Sequence, residues 1–174
     1  VINGKPRGFL QRRKTGQVPA AQENRTGSCS AGKPDRFVLD DNRRTMLLRI
    51  HHAAIICSDY EVSKRFYTQV LGLPVLAEHW RAERSSWKLD LALPDGSQIE
   101  LFSFEDRPAR PSYPEARGLR HLAFVVADVA LAKASLETQG VMVEAIRVDE
   151  YTGRRFTFFA DPDDLPLELY EATT

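Results

Sequence analysis

The feature that most constrains this chain is that it says one thing twice. Residues 51–75, HHAAIICSDYEVSKRFYTQVLGLPV, align with residues 120–143, RHLAFVVADVALAKASLETQGVMV, as strand, capping acid, helix, glycine and next strand. The later parts match as well: PDGSQIELF at 94–102 and PDDLPLELY at 162–170 each read as a turn followed by a final strand. Asp59 and Asp128 sit where an N-cap would, and Gly72 and Gly140 where each helix would stop. In the first helix Val62, Phe66 and Val70 recur every four residues, and in the second Ala132 and Leu136 share a face, which predicts those as the buried stripes. With Trp87–Leu93 and Arg155–Phe159 as inner strands, each copy reads β-α-β-β-β, an α+β architecture of two modules spanning about 46–104 and 119–172. The proline- and arginine-rich stretch 105–118 is too long for a hairpin turn and links them.

The zero formal net charge hides a division, because residues 1–45 carry ten Lys/Arg against four Asp/Glu and residues 46–174 carry fourteen against twenty. The first segment has few periodic apolar positions and many Gly, Pro, Ser, Arg and Asn, too little burial to offset the entropy of ordering, so a disordered basic extension is expected there. The first methionine, Met46, stands directly before the first strand-like run and is expected to be the natural start, with a targeting peptide as the rival reading. Only two aromatic residues, Phe9 and Phe37, stand among its charges, so no nucleic-acid partner is expected, and no apolar run reaches the roughly 18 residues of a membrane span. The two cysteines form no metal-type spacing and fit a reducing, cytoplasmic setting, with Cys57 read as a small strand residue.

Four chemistry-bearing residues occupy equivalent repeat positions: His52 and Glu100 in the first copy, His121 and Glu168 in the second. Strand alternation puts His52 with Ala54 and Ile56, and Glu100 with Phe102 and Phe104, so each carboxylate shares its face with apolar groups. An ionised carboxylate in such company costs several kcal/mol unless it is paired or bound to metal, and here the cost recurs. Two imidazoles and two carboxylates suit one divalent ion, Ni²⁺, Co²⁺, Mn²⁺, Fe²⁺ or Zn²⁺, with two octahedral positions left for water or a chelating substrate. By the same alternation His51 points away from His52, and His79 has no counterpart in the second copy and is read as surface or pocket lining. Among groups able to recognise an anion, Trp87 and Lys88 lead; Arg81, Arg84, Arg147, Tyr151, Arg154 and Arg155 complete that set. Phe102, Phe104, Phe156 and Phe158 read as core or pocket wall.

From Leu48 to Tyr170, through HHAAIICSD, IELFSF, GLRHLAFVV and DPDDLPLELYE, the sequence resembles the vicinal oxygen chelate superfamily, and within it the small bacterial glyoxalase I-like (lactoylglutathione lyase-like) proteins. The resemblance implies a mixed, curved sheet around a metal site, with His52, Glu100, His121 and Glu168 as ligands. It implies a lyase of methylglyoxal detoxification that isomerises the hemithioacetal of a 2-oxoaldehyde and a thiol to a 2-hydroxyacyl thioester, through a metal-stabilised enediolate. Glu168 is the implied proton shuttle and Glu100 the alternative. A homodimer whose sites are completed between subunits is implied too, with pairing of the modules inside one chain also allowed by the linker. Glutathione-using members carry Arg and Asn where this chain has Ile56 and Phe104, which puts glutathione as the thiol in question. The expected substrate is a small anionic molecule or thiol adduct, for which Trp87, Lys88, Arg147, Arg155 and Phe104 are the candidate contacts. Rival members are an epimerase of the methylmalonyl-coenzyme A type, which usually has Gln at the position of Glu100, and three-ligand dioxygenases or thiol transferases. Metal-free small-molecule binders lack the four-residue set altogether.

Overall fold

A computed structural model describes residues 46–173, and the readings made for residues 1–45 lie outside the described residues. The first copy forms β1 (His52–Cys57), α1 (Tyr60–Arg65), β2 (Val75–Arg81), β3 (Ser86–Ala92) and β4 (Gln98–Ser103). The second forms β5 (Leu122–Val126), α2 (Val129–Thr138), β6 (Arg147–Val148), β7 (Arg155–Ala160) and β8 (Pro166–Glu171). Each makes a four-stranded mixed sheet, in the orders β1-β4-β3-β2 and β5-β8-β7-β6. The last strand of each copy lies parallel to its first, while the hairpin-connected strands run antiparallel. This is the β-α-β-β-β pattern, present twice.

The capping acids act locally. Asp59 accepts from the amide of Val62 at 3.0 Å, and Asp128 accepts from Ala130 and Leu131 at 2.7 and 3.0 Å, satisfying amides at the N-termini of α1 and α2. Those backbone bonds, from Leu131 first, hold the Asp128 carboxyl below the usual range. Gly72 and Gly140 close the helical segments at φ +71° and +82°, in the left-handed region where a Cβ is disfavoured.

The first helical segment keeps Phe66 and Val70 of the expected stripe against the core but departs from it elsewhere. Tyr60, Ser63, Phe66 and Tyr67 are buried whereas Val62 is exposed. After Arg65 the backbone widens into a π turn over Phe66–Val70, with the Leu71 amide bonding the Phe66 carbonyl at 3.0 Å. The extra residue per turn lets two adjacent aromatics, Phe66 and Tyr67, both face inward. The strand expected directly after Gly140 is also reduced, to a bridge between Val143 and Phe159 followed by the two-residue β6.

The helix-side faces of both sheets share one core. Ile55, Cys57, Leu89, Leu91, Ile99 and Leu101 from the first module join Leu136, Phe159, Leu165, Leu167 and Leu169 from the second. Each fully buried leucine contributes roughly 1.5–3 kcal/mol relative to exposure. Polar links cross the same seam: the Tyr67 hydroxyl donates to Asp161 at 2.9 Å, and the Ser58 amide donates to Asp163 at 3.0 Å. With the helix sides occupied in this way, the opposite faces of the sheets carry the candidate site residues.

Candidate functional site

Register decides which side chains meet. On the first sheet Ala54 is the cross-strand partner of Glu100, Asp90 lies on the other side of Glu100, and Lys88 lies opposite Phe102. Since partners in register share a face, His52, Glu100, Phe102, Lys88 and Asp90 stand together on the side away from the core. His52 Nδ1 is 3.7 Å from Glu100 Oε1, and the Lys88 ammonium binds the same oxygen at 3.1 Å while also holding Asp90. Burial disfavours the Lys88 charge, but hydrogen bonds to Asp90 and Glu100 outweigh it and keep its pKa above the ordinary value. Glu100, only 9% exposed, is thereby compensated.

The second sheet repeats the layout with different company. Ala123 and Phe158 flank Glu168 in register, and His121 continues the line of β5 just ahead of Leu122. His121 Nε2 lies 2.9 Å from Glu168 Oε2, and Glu168 is 8% exposed. Phe158 meets the His121 ring edge-to-face at 5.1 Å. No lysine serves this carboxylate among the described residues. A cavity of about 750 Å³ opens over the pair, with Phe156, Phe158, Arg147, Glu144 and Arg110 among its walls.

The remaining candidates separate by parity along their strands. Phe104 stacks on Phe102 at 5.9 Å and so belongs to the first site face. Arg147 stands over Phe156 and Phe158 at 5.0 and 5.3 Å, inside the second cavity. Trp87 and Arg155 are corrections to the sequence reading. Trp87, adjacent to Lys88 on β3, faces the helix and stacks on Tyr60 at 5.5 Å. Arg155 likewise turns away from the cavity, bound to Glu171 and 3.6 Å from Asp128. His51 does not point away from His52 but touches it, Nδ1 to Nδ1 at 2.9 Å, because β1 begins only at His52 and alternation does not govern the residue before it. His79 pairs in register with Lys88 and is exposed on the site face. Asp90 escaped the sequence reading, although its place two residues from Lys88 was the signal that could have found it. Burial, then Asp163, push the Cys57 thiol up to about 11, so it stays protonated and acts as a core residue.

Donor chemistry tests whether these residues suit a divalent ion. Two ligands bound side by side at about 2.1 Å to an octahedral ion lie about 3.0 Å apart; His121 Nε2 and Glu168 Oε2 are 2.9 Å apart. The buried Nδ1 of His121 has no hydrogen-bond partner, so nothing behind the ring fixes its tautomer and the Nε2 side must do so. The second pair fits a metal. The first pair is looser and shares its carboxylate with Lys88, which a divalent ion would have to displace. Among the described residues no three His, Cys, Asp or Glu side chains of one chain gather into a metal-holding group. Among the described residues the four candidate donors thus stand in two pairs.

Comparison with known proteins places this geometry. Residues 49–169 match the family model described as the Glyoxalase/Bleomycin resistance protein/Dioxygenase superfamily. The uncharacterized protein YwkD of Bacillus subtilis is 59% identical over 127 residues, which are 72% of this chain and 99% of YwkD. A crystal structure of a glyoxalase family protein from Enterococcus faecalis superposes with a TM-score of 0.67 at 51% identity, covering 71% of this chain and 97% of that one. A 2-epi-5-epi-valiolone epimerase from an Actinomyces species is 30% identical over 141 residues, 69% of this chain and 77% of the epimerase. With its doubled β-α-β-β-β architecture and this match across most of its length, the chain belongs to the Glyoxalase/Bleomycin resistance protein/Dioxygenase superfamily.

Proposed function

We propose that this protein is a metal-dependent enzyme that moves a proton between adjacent carbons of a small substrate bearing vicinal oxygens. The glyoxalase I-type conversion of a 2-oxoaldehyde–thiol hemithioacetal to a 2-hydroxyacyl thioester is its first form. The observation that carries this reading is the His121–Glu168 pair, a nitrogen and a carboxylate oxygen 2.9 Å apart at the floor of a cavity of about 750 Å³. Donors from His52, Glu100, His121 and Glu168 would hold the ion, one of Ni²⁺, Zn²⁺, Co²⁺, Mn²⁺ or Fe²⁺. When bound, such an ion polarises the substrate's two oxygens and makes the C–H beside them more acidic.

The chain's own residues would do the rest. Glu168 takes the proton from one carbon and returns it to the next, because it faces the cavity and no ammonium among the described residues binds it. Glu100, held by Lys88, is the weaker base of the two. Phe156 and Phe158 line an apolar wall that keeps water from the reacting carbons.

Two donors per module call for a second module, and we place it in a second copy of the chain. Support comes from the donors of one chain gathering in groups no larger than two among the described residues, and from apolar side chains left uncovered on the site faces: Ile56 is 51% exposed on β1 and Val125 74% on β5. A two-fold homodimer joins half-site one of each copy to half-site two of the other. Epimerisation is the second reading, favoured by Ile56 and Phe104: they line the first site face with apolar groups, where neither provides a grip for a peptide carboxylate.

The test is thioester formation from methylglyoxal with glutathione and with other cellular thiols, using protein stripped of metal and reloaded. Turnover that needs metal and falls by roughly 10²–10⁴ in Glu168→Gln is expected. Metal-bound protein inactive with every thiol would remove the first reading and leave epimerisation.

A further inference from the structure

Of the cations that border the site faces, two are held by carboxylates. The Lys88 ammonium is bound to Glu100 at 3.1 Å and to Asp90, and the Arg147 guanidinium is bound to Glu144 at 2.7 Å. Arg81, at the end of β2, has no carboxylate or hydrogen-bond acceptor among the described residues. Its guanidinium is held by rings instead, 5.3 Å from Phe102 and 5.9 Å from Phe104, which are stacked on each other with planes 7° apart. A second guanidinium without a carboxylate partner among the described residues, Arg107, stands over Phe104 at 5.3 Å.

Stacking fixes an arginine's plane while leaving the edge of its fork, and the N–H groups there, free. A carboxylate or phosphate can accept two of them in parallel, which a water cannot do. The place of this free fork is defined by the sheet. Phe102 is the shared neighbour of Arg81 and of the Lys88 ammonium, the latter 5.8 Å from its ring, and Lys88 in turn reaches Glu100. Arg81, Lys88 and Glu100 therefore follow one another along the face that carries His52. The acids on this face, Asp90 and Glu100, share the single Lys88 ammonium and neither is bound to Arg81 or Arg107, so with both guanidiniums counted these five groups sum to one positive charge.

We infer that Arg81 is a specificity-determining residue that grips an oxyanion, carboxylate or phosphate, carried by the substrate a few bonds from its vicinal oxygens. The inference rests on the vicinal-oxygen reading above and names the substrate class for the same site. It also accounts for a site without the side chains that would hold a peptide thiol, since the anion would be read from the far end of the first sheet.

Titration calorimetry on the full chain loaded with Zn²⁺ tests this with three chelating probes: acetohydroxamate, which lacks an added anion, succinic acid monohydroxamate, and phosphoglycolohydroxamate. One anionic probe is expected to bind at least about tenfold more tightly than acetohydroxamate. Whichever probe it is tells carboxylate from phosphate. Arg81→Met should erase that preference and leave acetohydroxamate affinity unchanged, Arg81→Lys should keep part of it, and Arg65→Met, which removes a charge from α1, should keep all of it. No anionic preference in the wild-type protein, or the full preference in Arg81→Met, overturns the inference. Should acetohydroxamate not bind at all, the vicinal-oxygen reading fails separately. Metal-free binding of inorganic phosphate or succinate then decides for Arg81 if it is lost in Arg81→Met, and against it if neither binds or the variant binds equally.

Discussion

Asp161 shows how a single buried carboxyl joins the two modules. It is 5% exposed, accepts from the amides of Leu165 and Asp163 at 2.8 and 2.9 Å and from the Tyr67 hydroxyl at 2.9 Å, and organises the turn that leads into β8 and Glu168. Burial raises its pKa, and these hydrogen bonds only partly oppose that. A carboxyl raised on folding binds more protons in the native state than in the unfolded one. Its contribution is therefore fully present below the unfolded value of 3.8 and is lost as pH rises through the higher folded value. Urea unfolding of wild-type protein and Asp161→Asn across that range should show the wild type losing stability relative to the variant as pH rises. A difference that stays flat, or grows in the wild type's favour, would contradict the assignment. At this scale the repeat made the four His and Glu positions legible, because their equivalence needs no three-dimensional information. Trp87 and Arg155 were not legible as core-side residues. Their parity is set by how β3 pairs with β4 and β7 with β8, and cross-strand register is a tertiary fact.

Among the elements, the helices follow their caps more closely than their apolar spacing. Asp128 binds two backbone amides of α2, so Asp128→Ala should lower stability by about 0.5–2 kcal/mol, read as a shift in the urea midpoint with an unchanged slope. No shift would mean that packing of Val129 and Leu136 alone holds that helix. Of the Val62–Phe66–Val70 spacing, Phe66 is buried and Val70 packs against the core while Val62 is exposed, and the π turn from Phe66 brings Tyr67 inward as well, which a regular 3.6-residue period does not predict. That departure serves packing of Phe66 against Phe159 at 6.4 Å and of the Tyr67 hydroxyl against Asp161, contacts with residues over ninety positions away. Local propensity carries no trace of them. The short β6 has the same kind of origin: Thr157 and Lys133 already take the carbonyls of Glu144 and Val143, which leaves less backbone free for a ladder.

For the molecule as a whole, helix-side burial uses up one side of each sheet and leaves the site faces uncovered, which is where the proposed dimer would join them. Among the described residues the proposed donors come in pairs, His52 with Glu100 and His121 with Glu168, and under the proposed function a second copy supplies the pair that completes each site. The repeat made the two pairs readable in the sequence; which chain supplies the second pair was not, since a linker of this length permits either route. Mixing two incompetent variants measures that directly. His52→Ala/Glu100→Ala lacks the first pair and His121→Ala/Glu168→Ala lacks the second, so neither variant alone should hold metal tightly. If sites form between subunits, a heterodimer of the two rebuilds one complete site from the intact halves, and the other site loses all four donors. We predict that Co²⁺ titration of the refolded mixture recovers one tight site per heterodimer. A mixture that binds no more tightly than its separate components would contradict the account.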